Sequence, residues 1–280
     1  PTSAGFIVAG YVLALLNFSR NTDYLTLPAE IGVGLLLFSL GLKVKPSYFY
    51  NKHVILVFIV HSIVVTLFFY LLLHLDVGLE IKLGLCVALS VSSTIVASKA
   101  LETRRELSTF HGRISVIILV FQDILALALL LYSQPNNLMV ESAVLLLVPF
   151  SIPLIKGLLR TLHNNEELEL LAAIIIAVVL GMTLFSSLGL SAEIGALVMG
   201  VLLSGYESAD RLAKRIWSLR EFLLLAFFLG LGMTVQLNYE ILVNSLIILS
   251  LLVFKSIILF FLLLAFKLRA YTAFLISISL

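Results

Sequence analysis

Short polar connections divide the chain into eleven apolar runs, at residues 4–17, 29–42, 54–75, 82–101, 113–133, 142–162, 168–188, 191–206, 221–235, 241–266 and 270 onward. A soluble core cannot absorb so much apolar chain, because 61% of the residues are hydrophobic, 12% are charged and the mean hydropathy is +1.16. In hydrocarbon every backbone polar group must be satisfied internally, so runs of about 20 apolar residues read as membrane-spanning helices, with shorter runs allowed where helices tilt or break. The predicted fold class is an all-α polytopic membrane protein. The sequence opens at Pro1 without an initiator Met and stops at Leu280 inside an apolar run, so both ends are expected to be cut.

The connections orient those runs. Lys and Arg collect on the cytoplasmic side of a membrane, whereas Asp and Glu contribute little. Alternate connections hold Lys43, Lys45 and Lys52, then Lys99, Arg104, Arg105 and Arg113, then Lys156 and Arg160, then Arg211, Lys214, Arg215 and Arg220, then Lys267 and Arg269. The other set holds only Arg20 and Lys82, so the even-numbered connections face the cytoplasm. Net charge is only +2, which implies no nucleic-acid partner. The single cysteine, Cys86, lies in an apolar run and excludes a disulfide framework.

An internal repeat runs in order along the chain. Gly5-Phe-Ile-Val-Ala-Gly10 recurs as Gly195-Ala-Leu-Val-Met-Gly200; Phe38-Ser-Leu-Gly-Leu-Lys-Val44 recurs as Phe228-Leu-Gly-Leu-Gly-Met-Thr-Val235; Ala88-Leu-Ser-Val-Ser92 recurs as Leu275-Ile-Ser-Ile-Ser279. Matched runs cross the membrane in opposite directions. That is an inverted repeat, an architecture that in transporters places the substrate site at mid-membrane. It divides a single transport domain, residues 1–280, into a first repeat (1–133) lacking its first helix, a linker helix (134–167) and a second repeat (168–280) lacking its end. The full protein would have about thirteen spans.

Asp123 is the one acidic side chain in the run 113–133, preceded by Gln122. A carboxylate at that depth costs roughly 2.5–3.5 kcal/mol, so it should face a cavity or a partner. There it can hold a proton or a small cation but not both well, which is the minimal apparatus of exchange. Lys255 lies mid-span in 241–266, and a pair with Asp123 would make both titrations belong to the couple. Ser90, Ser92, Ser93 and Thr94 cluster in the middle of run 82–101, where an unwound stretch could turn carbonyls toward a cation; Ser277 and Ser279 would mirror it. Glu30 and Glu193, each in Ala-Glu-Ile-Gly, are expected to begin helices and complement the helix dipole. His61 reads as a packing residue, and His53, His74, His111 and His163 fall near span ends with no special role. Gly5, Gly10, Gly195 and Gly200 suit close helix approach. The sequence has no HExxH motif, Walker-type loop or Cys/His cluster, so metal hydrolysis and nucleotide-driven pumping find no support in it, and no resident cofactor is expected.

At Ala29-Glu-Ile-Gly-Val-Gly-Leu-Leu-Leu-Phe-Ser-Leu-Gly-Leu, Leu89-Ser-Val-Ser-Ser-Thr, Phe121-Gln-Asp-Ile, Gly195-Ala-Leu-Val-Met-Gly-Val-Leu-Leu and Phe228-Leu-Gly-Leu-Gly-Met, the chain resembles the monovalent cation:proton antiporter-2 family, closest to its Kef-type potassium/proton members. The resemblance implies that Asp123 binds the ion beside Gln122, that residues 90–94 form the first crossing helix, and that Lys255 is the basic residue on the helix before the second crossing. It implies a homodimer in a bacterial inner or plasma membrane, exchanging K+ or Na+ for H+. The third to fifth, tenth and eleventh runs would form an ion-carrying core; the first two and the seventh to ninth would form a dimer scaffold. A cytoplasmic regulatory domain could follow Leu280. Cation-coupled transport of an organic solute and a gated cation channel are the other expectations in this architecture, and an intramembrane enzyme would need a second catalytic group that the sequence does not offer.

Overall fold

In the computed structural model the described residues are 2–16, 23–44, 50–73, 77–133, 148–235 and 238–280, and all their regular structure is helical. Arg20, Lys45, His74 and the first part of the expected linker lie outside them. The helices are α1 (Thr2–Leu15), α2 (Asp23–Lys43), α3 (Lys52–Leu72), α4 (Leu79–Ser90), α5 (Thr94–Thr103), α6 (Phe110–Ser133), α7 (Val148–Leu162), α8 (Glu166–Ile175), α9 (Leu184–Ser187), α10 (Ala192–Leu203), α11 (Ala209–Thr234), α12 (Tyr239–Ala265) and α13 (Ala270–Ser279). A π-helical stretch, Ile176–Thr183, joins α8 to α9, so the expected span 168–188 is a composite rod. Among the described residues six helical stretches are long and apolar enough to cross a membrane: Asp23–Lys43, Lys52–Leu72, Leu79–Thr103, Glu166–Ser187, Ala209–Thr234 and Ile241–Ala265. The chain is an integral, multi-pass membrane protein.

Two helices start more than a turn before their apolar runs. The run at 29–42 belongs to α2, which begins at Asp23 and takes Pro28 into its second turn, so Glu30 lies inside the helix rather than at its start. Only Glu193 sits in a first turn, that of α10. The run at 221–235 belongs to α11, which begins at Ala209. Its added turns are amphipathic, burying Ala209, Leu212, Ala213, Ile216 and Arg220 at helical spacing. Arg211, Lys214, Arg215 and Arg220 are therefore helix residues, not a loop, and Arg220 is 1% exposed.

The chain forms two compact units. The first takes residues 1–43 and 138–241. Its core joins Leu35, Phe38 and Leu42 of α2, Leu159 of α7, Ala173 of α8, Met199 and Leu203 of α10, and Leu212 and Ile216 of α11. Arg220 donates to Ser39 Oγ of α2 at 2.7 Å and to Glu221 Oε1 at 3.2 Å. Glu169 of α8 is fully buried and accepts from Arg215, while Tyr206 OH donates to it at 3.5 Å. A buried carboxylate needs such partners, and these tie α8 to α11.

One close contact is made twice in this unit. A Cβ on Gly10 of α1 would overlap Leu229 O and press on Gly232 of α11; a Cβ on Gly200 of α10 would overlap Phe38 O and press on Gly41 of α2. Gly10 matches Gly200 in the repeat, and Gly232 falls one residue from the position that matches Gly41. Small residues let membrane helices approach backbone to backbone, where packing replaces the hydrophobic drive absent in lipid.

The second unit takes residues 44–137 and 242–280, that is α3 to α6, α12 and α13, the runs that the resemblance assigns to the ion-carrying core. Cys86 is buried there with Val65 and Phe69, a packing thiol. Phe58 of α3 stacks on Phe121 of α6 at 5.4 Å between centroids.

Gly200→Leu should separate α10 from α2 and cost about 1–3 kcal/mol or more, because backbone rather than a flexible side chain blocks the new atoms. We expect a lower Tm of the detergent-purified protein, whereas Gly5→Leu, where a Cβ meets nothing within 4 Å, should leave Tm unchanged.

Candidate functional site

The site lies wholly within the second unit and is built around a helix break. α4 ends at Ser90 and α5 starts at Thr94, leaving residues 91–93 outside the helical ladder. Two hydroxyls close the helix ends there. Ser90 Oγ donates back to Val87 O at 2.7 Å, and Ser93 Oγ caps α5 by accepting from Val96 N at 3.4 Å. Ser90 and Ser93, expected at the ion, thus serve the backbone. The other two turn to the neighbouring helices.

Gln122 of α6 is 1% exposed, and its Oε1 accepts from Ser92 N at 3.0 Å, satisfying an amide that the break releases. That bond also fixes the amide's orientation. The next residue, Asp123, is half-buried, and the Thr94 hydroxyl lies 2.9 Å from both Oδ1 and Oδ2. The hydroxyl thus sits across both carboxylate oxygens and can donate to either of them.

Lys255 of α12 reaches the same break from another side. It is 2% exposed, and its Nζ donates to Ser92 Oγ at 2.8 Å; Ser92 Oγ donates onward to Leu280 O at 2.6 Å. The ammonium of Lys255 thus bonds Ser92 and the carboxylate of Asp123 bonds Thr94, two residues apart in the chain. The carbonyl end of α4 carries partial negative charge and favours the ammonium. Ser277 and Ser279 do not reach toward an ion; each bonds back to its own helix, at Ala273 O (2.7 Å) and Leu275 O (2.6 Å).

The packing assignment for His61 needs amendment. On α3 it is fully buried, within electrostatic reach of Lys255, and among the described residues neither ring nitrogen has a hydrogen-bond partner. Its position mid-span was the available signal, but nothing in the sequence tells which face of α3 meets α12.

A helical membrane protein that holds an acid, a base and a broken helix together inside one bundle has features in common with polytopic membrane transporters. The chain belongs to the sodium/hydrogen exchanger transmembrane family, whose model matches residues 1–280. Its relatives include the glutathione-regulated potassium-efflux system protein KefC of Klebsiella pneumoniae, 28% identical over 256 residues, covering 83% of this chain and 41% of that protein. KefC of Shigella sonnei is 30% identical over 83% of this chain and 41% of its own length. The iron transporter MagA of Paramagnetospirillum magneticum is 31% identical over 259 residues, 85% of this chain and 59% of that protein. The chain therefore spans about half the length of the relatives it matches, or less.

If Ser92 is the acceptor that makes the buried ammonium tolerable, Ser92→Ala should lower the Tm by an amount that Lys255→Met largely removes. A double-mutant cycle is expected to show coupling of about 0.5–3 kcal/mol. Strictly additive losses would place the two residues in separate environments.

Proposed function

We propose that the chain exchanges a monovalent cation, K+ or Na+, for a proton across the membrane, and that both bind in turn at Asp123. The observation that carries this reading is the half-buried Asp123 carboxylate at the centre of an apolar helix, held by Thr94 at the break between α4 and α5. A single carboxylate with a hydroxyl beside it is a hard, singly charged donor set, suited to a monovalent cation. Either ligand neutralises the acid, so occupancy by one opposes the other. Alternation, with the ion gradients as the source of energy, then gives coupled exchange. Family membership and the potassium-efflux relatives support the same reading.

Each residue has a role in it. Thr94 accepts from a protonated Asp123 or donates to an ionised one, so it stays bonded through the cycle. Gln122 holds the non-helical segment in shape through Ser92 N. Lys255 sets a fixed positive charge beside the site, which lowers cation affinity enough for release. The second unit, which contains every one of these residues, acts as the ion-carrying body; the first unit serves as the scaffold of a homodimer, with the bilayer as its other partner.

Proteoliposomes with an entrapped pH dye give the test. K+ or Na+ added outside should drive protons out and alkalinise the lumen, and Asp123→Asn should abolish the flux. Exchange at wild-type rates in Asp123→Asn would refute the proposal. Thr94→Val, which removes the hydroxyl but keeps the shape, should slow exchange by about tenfold, the effect of losing one hydrogen bond to a charged group of roughly 1.5 kcal/mol. Activity should fall at acidic pH, where the proton holds the carboxylate against the cation.

A further inference from the structure

Away from the Asp123 site, the second unit contains a hollow at one end. The start of α3, the start of α6 and the end of α12 surround a cavity of about 380 Å³. Val54, Val57, Ile118 and Leu263 form its buried floor, and the exposed side chains of His53 and Lys267 line it as well. The neighbouring connections all belong to the cation-rich set, so this end faces the cytoplasmic leaflet. Among the described residues, no acidic side chain lines it.

Lys267 has an unusual backbone. Its φ is 63°, in the left-handed region, where it closes α12 by donating from its N–H to Leu264 O at 2.9 Å while Leu268 N bonds Leu263 O at 3.1 Å. Glycine fills that capping position at no steric cost, whereas a side chain there is strained. The helix cap alone does not call for a lysine, and the lysine lines the hollow.

We propose that the hollow binds an acidic phospholipid of the cytoplasmic leaflet, its phosphate held by Lys267 and His53 and an acyl chain laid along Val54, Val57, Ile118 and Leu263. An apolar floor at the membrane boundary is filled by lipid tail in a bilayer, and a mouth with two basic groups and no acid selects the anionic headgroup. Lys267 also lies at the end of the helix that carries Lys255, so the bound lipid would fasten that helix to α3 and α6.

The test uses the full chain in phosphatidylcholine nanodiscs with increasing phosphatidylglycerol of the same acyl composition, read as thermal unfolding. Wild type should gain Tm with phosphatidylglycerol. Lys267→Gly and Lys267→Asn both tolerate the left-handed backbone, so they should fold at least as stably in phosphatidylcholine yet bind phosphatidylglycerol about fivefold more weakly, the factor expected for one lysine at the membrane surface. Lys267→Arg should keep the gain. So should Arg269→Gln, which removes a neighbouring exposed charge outside the hollow. A gain that Lys267→Gly reaches at the same phosphatidylglycerol content as wild type, that phosphatidylcholine matches, that soluble glycerophosphoglycerol reproduces, or that Arg269→Gln loses equally would overturn the proposal.

Discussion

Two opposite charges inside one helical bundle are tolerable here because a single non-helical segment gives each of them a polar contact. Residues 91–93 separate α4 from α5, and the flanking hydroxyls bind the Lys255 ammonium through Ser92 and the Asp123 carboxylate through Thr94. Moving an ion from water into a low-dielectric interior costs several kcal/mol even after relaxation, so neither group would persist in an unbroken apolar helix. The break in turn depends on its partners. Its free amide at Ser92 goes to Gln122, and Ser90 and Ser93 finish the two helix ends. Charge placement and backbone irregularity are thus one structural problem with one solution.

The first unit solves the opposite problem, that of being firm without a water-driven core. Its helices meet backbone to backbone at Gly10 with Gly232 and at Gly41 with Gly200, positions that correspond to within one residue in the two halves of the chain. Buried polar ties add direction to that packing, Arg220 on Ser39 and Glu169 on Arg215. Close backbone contacts thus mark the first unit, and an irregular charged centre marks the second.

Much of this was legible in the sequence, for identifiable reasons. Spans show in apolar runs because lipid imposes their length, and the break shows because four hydroxyl residues in mid-span have no business facing lipid. Asp123 and Lys255 stand out for the same cause. Helix starts did not show: the first turns of α2 and α11 carry Asp23, Asp210 and Arg211, and hydropathy registers contact with lipid rather than helical hydrogen bonding. Arg220 read as a loop cation because its partner, Ser39, is far off in the chain. The hydroxyls of residues 90–94 could not be sorted without coordinates, since whether a serine bonds its own helix or a neighbour depends on side-chain direction. His61 and Lys267 were passed over likewise, one for want of a helix face and the other because backbone φ leaves no trace in composition.

Sharing of one carboxylate by proton and metal ion is the centre of the account, and binding linkage reads it directly. The affinity of the purified wild-type protein for K+ and Na+, measured by calorimetry across pH, should weaken by about tenfold per pH unit on the acid side, with close to one proton released per cation bound. An affinity that stays flat with pH while cation binds, or binding that releases no proton, would contradict it.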